Sequence, residues 1–144
     1  MNFTSEPSRL FIRHDAVELV MGKFVIKTTK DGQYMFNLHA VNGQVICTSE
    51  SYKTLESARN GIESVRKNCA AGIEDQTKDG FETLKNPKWE LYKDKAGEFR
   101  FRLKASNGET IVAGEGYTTK ENALNGISSI GRNAPDAKVE ELLD

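Results

Sequence analysis

The side chains able to do catalytic chemistry are few and scattered. Two histidines, His14 and His39, and two cysteines, Cys47 and Cys69, share no spacing with a zinc-binding set, which pairs its ligands a few residues apart. No glycine-rich turn leads from a strand into a helix, as a phosphate cradle requires. The acidic residues follow solvent-face spacing, and no two carboxylates can be placed together for general acid and base work. The sequence therefore predicts no enzyme, no cofactor and no metal. Charge in a regular order stands out instead: "FRFRLK" sets Arg100, Arg102 and Lys104 at every second residue. Three cations on one side of a strand could hold phosphates, with a nearby ring stacking on a base.

Those cations need a strand to line them up, and that strand belongs to a repeat. "ESYKTLESARNGIESVRKN" (50–68) returns as "EGYTTKENALNGISSIGRN" (115–133). A constant offset of 65 residues, Gly97 against Gly32, holds from Lys23/Lys88 to Asn68/Asn133. Identities along it include Phe36/Phe101, Leu38/Leu103, Asn42/Asn107, Gly43/Gly108, Tyr52/Tyr117, Asn60/Asn125 and Ile62/Ile127. A solenoid wants three or more units, so two copies read as a duplicated half-domain. A unit of about 55 residues is marginal alone, and the two halves should complete one core.

Each half opens as a three-stranded meander. Phe99, Phe101, Leu103 and Ala105 alternate with Glu98, Arg100, Arg102 and Lys104, the period of a strand with one buried face. Asn107-Gly108 then suits a type I′ hairpin turn, with "ETIVAG" returning and "KWELYK" preceding. "KFVIKT", "QYMFNLHA", Asn42-Gly43 and "QVICTS" repeat the scheme. A helix follows in each half. Thr54 and Thr119 are its N-caps, with Glu56 and Glu121 in the first turn. Ala58, Ile62 and Val65 form one apolar stripe, and Ala123, Ile127 and Ile130 the other. Asn68 and Asn133 suit a left-handed C′ position. Gly61 and Gly126 fall on the buried side, where a glycine costs about 1 kcal/mol relative to alanine. Carrying that cost twice predicts close approach of another element at both. A short extended stretch ends each half, around Ile73 and around Val139.

This pattern resembles the YegP-like family, small bacterial and archaeal proteins found as tandem repeats or as dimers of single repeats. "FRFRLKASNGETI", "EGYTTKENALNGI" and "RNAPDAKVEEL" carry the likeness in the second half. "FNLHAVNGQVI", "ESYKTLESARNGIESVRKN" and a degraded "CAAGIED" carry it in the first. It spans roughly Gly22 to Leu142. The resemblance implies an α+β fold in which two β-β-β-α-β repeats form one antiparallel sheet, with the C-terminal strands exchanged and both helices packed on one face. It brings no catalytic residues. The expected boundaries are an extension over 1–21, a first repeat over 22–76, a polar connector over 77–87 and a second repeat over 88–144. For the extension, a short amphipathic segment from Leu10 to Val20 and a frayed tail both stand open.

With both helices on one side, the other face of the sheet is free for a partner. There the second half carries Arg100, Arg102 and Lys104, flanked by Lys88, Tyr92 and Thr110. The first half carries Val25, Met35, Val45 and Cys47 among Lys23, Lys27, Asn37 and His39. Its apolar character suits a protein contact, or cover by residues 1–21. Charged residues make up 28% of the chain and nearly cancel to a net −1, which argues against a general polyanion binder. The expectation is a non-catalytic interaction module with a protein partner, built as a tandem pseudo-dimer. Weak binding of single-stranded nucleic acid through the basic half is the alternative. No stretch has the roughly 18 apolar residues a membrane span needs, and "MNFTSEPSRLFIRHD" lacks the apolar core of a signal peptide. A cytoplasmic location, with Cys47 and Cys69 as reduced thiols, is expected.

Overall fold

The computed structural model describes residues 8–12 and 17–144. Each half yields the strands and helix that its pattern demands. The first gives β3 (Lys23–Thr28), β4 (Tyr34–His39), β5 (Val45–Ser49), α1 (Leu55–Asn68) and β6 (Ile73–Asp75). The second gives β7 (Lys88–Lys93), β8 (Phe99–Lys104), β9 (Thr110–Ala113), α2 (Lys120–Asn133) and β10 (Lys138–Leu142). Ahead of them, β1 (Ser8–Ile12) and β2 (Val17–Met21) pair antiparallel as a separate two-stranded sheet. His14 and the rest of the extension lie outside the described residues.

The main sheet has eight strands in the order β10-β3-β4-β5-β9-β8-β7-β6. Its outer strands are exchanged: β10 of the second half lies on β3 of the first, and β6 of the first lies on β7 of the second. Both of these pairings are parallel, so the sheet is mixed, with an antiparallel centre, and is not the wholly antiparallel one expected. Parallel pairing needs a connection longer than a hairpin: β6 reaches β7 through the connector over 76–87, and β10 comes back to β3 from the far end of the chain.

Ion pairs accompany the exchange. Glu141 on β10 takes a two-pronged bond from Arg59 of α1, at 2.7 and 2.9 Å. Asp75, its counterpart on β6, pairs with Lys120 of α2. Each outer strand is thus tied to the helix of the other half. Trp89 of the second half adds a buried bond from its indole N–H to the Cys69 carbonyl, at 3.0 Å.

Both helices pack on the same face of the sheet, over Phe24, Ile26, Phe36, Leu38, Trp89, Leu91, Phe101 and Leu103. Each of these, fully buried, contributes about 1.5–3 kcal/mol. Thr54 and Thr119 cap the helices as expected, accepting from the Ser57 and Asn122 amides. The approach predicted at Gly61 and Gly126 comes from sheet-side aromatics. A Cβ on Gly61 would meet the Tyr52 ring and stand 3.0 Å from Phe36 Cε2. One on Gly126 would stand 2.8 Å from Tyr117 Oη and 2.9 Å from Phe101 Cε2. Tyr52 stacks on Phe36, and Tyr117 on Phe101. The asparagine-glycine held in both helices is a seat for a tyrosine.

Two local readings are corrected. Asn68 and Asn133 are not left-handed, since no residue other than glycine has positive φ among those described. Each instead donates its side-chain amide back to the carbonyl four residues earlier, Ser64 or Ser129. That bond makes a left-handed cap unnecessary. The Asn-Gly hairpins are not type I′, which requires positive φ at both residues. Gly43 and Gly108 have φ of 85° and 84°, but Asn42 and Asn107 do not turn positive. The asparagine side chain accepts from the amide two residues on, Gln44 or Glu109. The loop is a three-residue one, a type I turn closed by a left-handed glycine.

Candidate functional site

The sheet face away from the helices is fixed by cross-strand pairing. Asn37 lies opposite Thr48, Thr48 opposite Ala113, and Ala113 opposite Arg102, so these four share one face. A β-bulge interrupts each third strand. Leu38 faces Cys47 while His39 faces Val45, which leaves Ile46 as the extra residue. Ile111 is its equivalent in the second half. The bulge turns Cys47 inward with Leu38, so both Ile46 and Cys47 join the core. A strict period of two placed Cys47 outward and is corrected here.

At the centre, β5 and β9 pair over only two positions, Thr48 with Ala113 and Ser49 with Val112. The short seam leaves a shallow pocket of about 250 Å³, lined by Val45–Glu50, Arg100 and Ala113–Glu115. Two of the residues singled out from the sequence, Val45 and Arg100, come together there. The wall is mixed in character: apolar at Val45 and Ala113, acidic at Glu50 and Glu115.

The other candidates fall differently. Val25 is on the expected face but only 2% exposed, held between its register partners Glu140 and Asn37, so a partner cannot reach it. Met35, Val45 and Lys104 are half-buried. His39 is half-buried too. Its Nδ1 lies 3.3 Å from the Gly43 carbonyl oxygen. Arg100 and Arg102 are not free cations. Arg100 Nε donates to Asp94 at 2.6 Å, and Arg102 Nε to Glu90 at 2.6 Å while its guanidinium lies over the Tyr92 ring.

Arg102 belongs to a buried ionic network that the sequence did not suggest. Lys88 Nζ donates to Glu74 at 2.7 Å and stands 3.3 Å from Glu90. Glu74, 2% exposed, also accepts from Gln76 Nε2 at 2.6 Å and from the Leu84 amide at 2.7 Å. The connector thereby folds back over the β6 edge. The Lys88 ammonium, with these added donors, pulls the Glu74 carboxyl down to about 2. Burial would raise Glu90, but Arg102 and Lys88 hold it below its ordinary value. Lys88 itself is held above its ordinary value by Glu74. The one available signal was the repeat: Glu74 and Lys88 match Glu140 and Lys23, which also pair, at 2.9 Å. All these charges are matched, and the network has none left over for proton transfer.

Both thiols are buried among apolar side chains. Burial pushes the Cys47 thiol up to about 12 and raises Cys69, so neither is a ready nucleophile. No cluster of three or more metal-ligating side chains occurs among the described residues.

Comparison with known proteins agrees with this architecture. Residues 29–75 and 94–141 each match the family described as "Domain of unknown function (DUF1508)". A UPF0339 protein of Pseudomonas aeruginosa, PA0329, is 41% identical over 119 residues, 83% of this chain and 96% of that relative. A UPF0339 protein of Treponema denticola is 58% identical over 55 residues, 38% of this chain and 95% of its own length, so it is a single repeat. The solution NMR structure of YegP from E. coli, a protein of unknown function, superposes with a TM-score of 0.70 at 32% identity. The match covers 85% of this chain and 93% of that one.

Proposed function

Because the chain belongs to the DUF1508 family, whose description names no activity, we propose on physical grounds that it is a non-catalytic binding module. Its partner is a protein that seats at the seam pocket. The pocket itself carries this reading: it is a concave site where the sheet halves meet, with apolar and carboxylate walls and no poised nucleophile or base. Nucleic acid fits the same face less well. Arg100 and Arg102 are held by Asp94 and Glu90, and Glu50 and Glu115 would repel phosphates. Two free, buried thiols suit a reducing cytoplasm, where we place the protein.

Affinity capture from the native host at about 0.5 M salt, where phosphate-driven binding falls away, tests the proposal. A protein retained by the parent chain and lost from Val45→Asp supports it. Capture of nothing at high salt, together with a salt-dependent shift of a single-stranded RNA oligomer, overturns it in favour of nucleic acid.

A further inference from the structure

The two edges of the sheet are unequal. On one side, β6 is three residues long and the connector folds against it through the Leu84–Glu74 bond. On the other, β10 runs five residues, and among the described residues no strand lies on its outer side. Its flank is also apolar. Val139, Leu142 and Leu143 are 41%, 53% and 40% exposed, three of the five large exposed hydrophobics described. A groove of about 270 Å³ runs beside it, lined by Arg59, Asn60, Ile62, Glu63, Val139 and Glu141. An open edge of this kind is a template for one more strand.

We propose that this strand is β10 of a second copy, joining the eight-stranded sheets of two chains into one continuous sheet. The charge order selects the occupant. A two-fold antiparallel pairing that keeps the helices on one side must set residues of the same face opposite each other. Centred on Val139, it places Val139 against Val139 beside the α1 grooves, and Lys138 against Glu140 twice on the far face. Centring on Lys138, Glu140 or Glu141 sets that residue against its own like charge. Centring on Leu142 sets Glu140 against Asp144. Like charges directly opposite are unfavourable. Of these registers, only the Val139 one pairs opposite charges while setting no like charges against each other.

The test uses the full chain with two charge variants, Lys138→Glu and Glu140→Lys. Both positions are solvent-facing, and the Lys23–Glu140 pair that the second variant loses is exposed and adds little to the fold. Far-UV circular dichroism establishes that each variant is folded. Sedimentation velocity over about a hundredfold concentration range should show the parent chain dimerising. Each variant alone should dimerise about tenfold more weakly, with like charges now facing across the edge. An equimolar mixture should recover the dimer, since the carboxylate introduced in one chain then meets the ammonium introduced in the other. A parent chain that stays monomeric throughout overturns the proposal. So do variants that dimerise as the parent does, or a mixture no better than its components.

Discussion

Replacing Lys88 by methionine should be among the most damaging single changes in the second half. The ammonium is 9% exposed and sits between Glu74, 2% exposed, and Glu90, 9% exposed by side chain. Removing one partner of a buried pair typically costs about 3–5 kcal/mol, because it leaves a charge without compensation. Here Glu74 keeps its bonds from Gln76 and Leu84, and Glu90 keeps Arg102, so a loss of about 3 kcal/mol is expected. Urea unfolding followed by the fluorescence of Trp89, the single tryptophan and fully buried, reads it directly. The pH dependence separates charge from packing. Glu74 is depressed from 4.5 to about 2 by Lys88, so its stabilisation is complete above about pH 4.5 and lost as pH falls toward 2. Without Lys88 the carboxyl moves back up, and the gap between variant and parent should narrow across that window. Glu74→Leu with Lys88→Met, which removes both charges, should recover part of the loss. A gap below about 1 kcal/mol at neutral pH, or one unchanged between neutral and acid pH, would refute the network as a source of stability.

Two further outcomes bear on the architecture. Gly61→Leu and Gly126→Leu should each destabilise by about 1–3 kcal/mol in thermal melts, overpacking against Tyr52/Phe36 and Tyr117/Phe101 despite better helix propensity; variants that both melt above the parent would contradict the close approach. Proteolytic nicking at Asp79-Gly80 in the exposed connector should leave two fragments that elute as one species from a sizing column, held by the Arg59–Glu141 and Lys120–Asp75 pairs and the shared core. Freely separating fragments would mean that the halves fold apart.

The repeat made most of the fold legible. A pattern read twice at one offset averages out local ambiguity, so the strands, the helices and their threonine caps could be placed from sequence. The resemblance then supplied the strand exchange. Features set by a single extra residue or a single bond were not legible. The bulges at Ile46 and Ile111 break the period of two, and nothing in "QVICTS" marks them, because Val45, Ile46 and Cys47 are all apolar. The turns went to type I because asparagine binds its own backbone, an option the Asn-Gly pair leaves as open as I′. The parallel outer pairings depend on how the long connections between partners run, which strand patterns do not encode. On the open face, alternation correctly gave the direction of Arg100 and Arg102. It could not say that Asp94 and Glu90 would bind them, since Asp94 lies in the turn before β8 and Glu90 on the neighbouring strand.

The exchange of outer strands also sets a schedule for synthesis. Lys23 on β3 meets Glu140 on β10 across 117 residues of chain. At ordinary elongation rates of about 5–20 residues per second, β3 emerges roughly 6–23 s before its outer neighbour exists. Throughout that interval the nascent chain has a bare edge at β3, and until β7 is made its own β6 has nothing to lie on either. It can neither finish its sheet nor bury its ends, and a neighbouring nascent chain on the same message offers the same unmatched strands. Closure within one chain therefore competes with closure between chains, and the polar connector, by keeping the second half close at hand, favours the first.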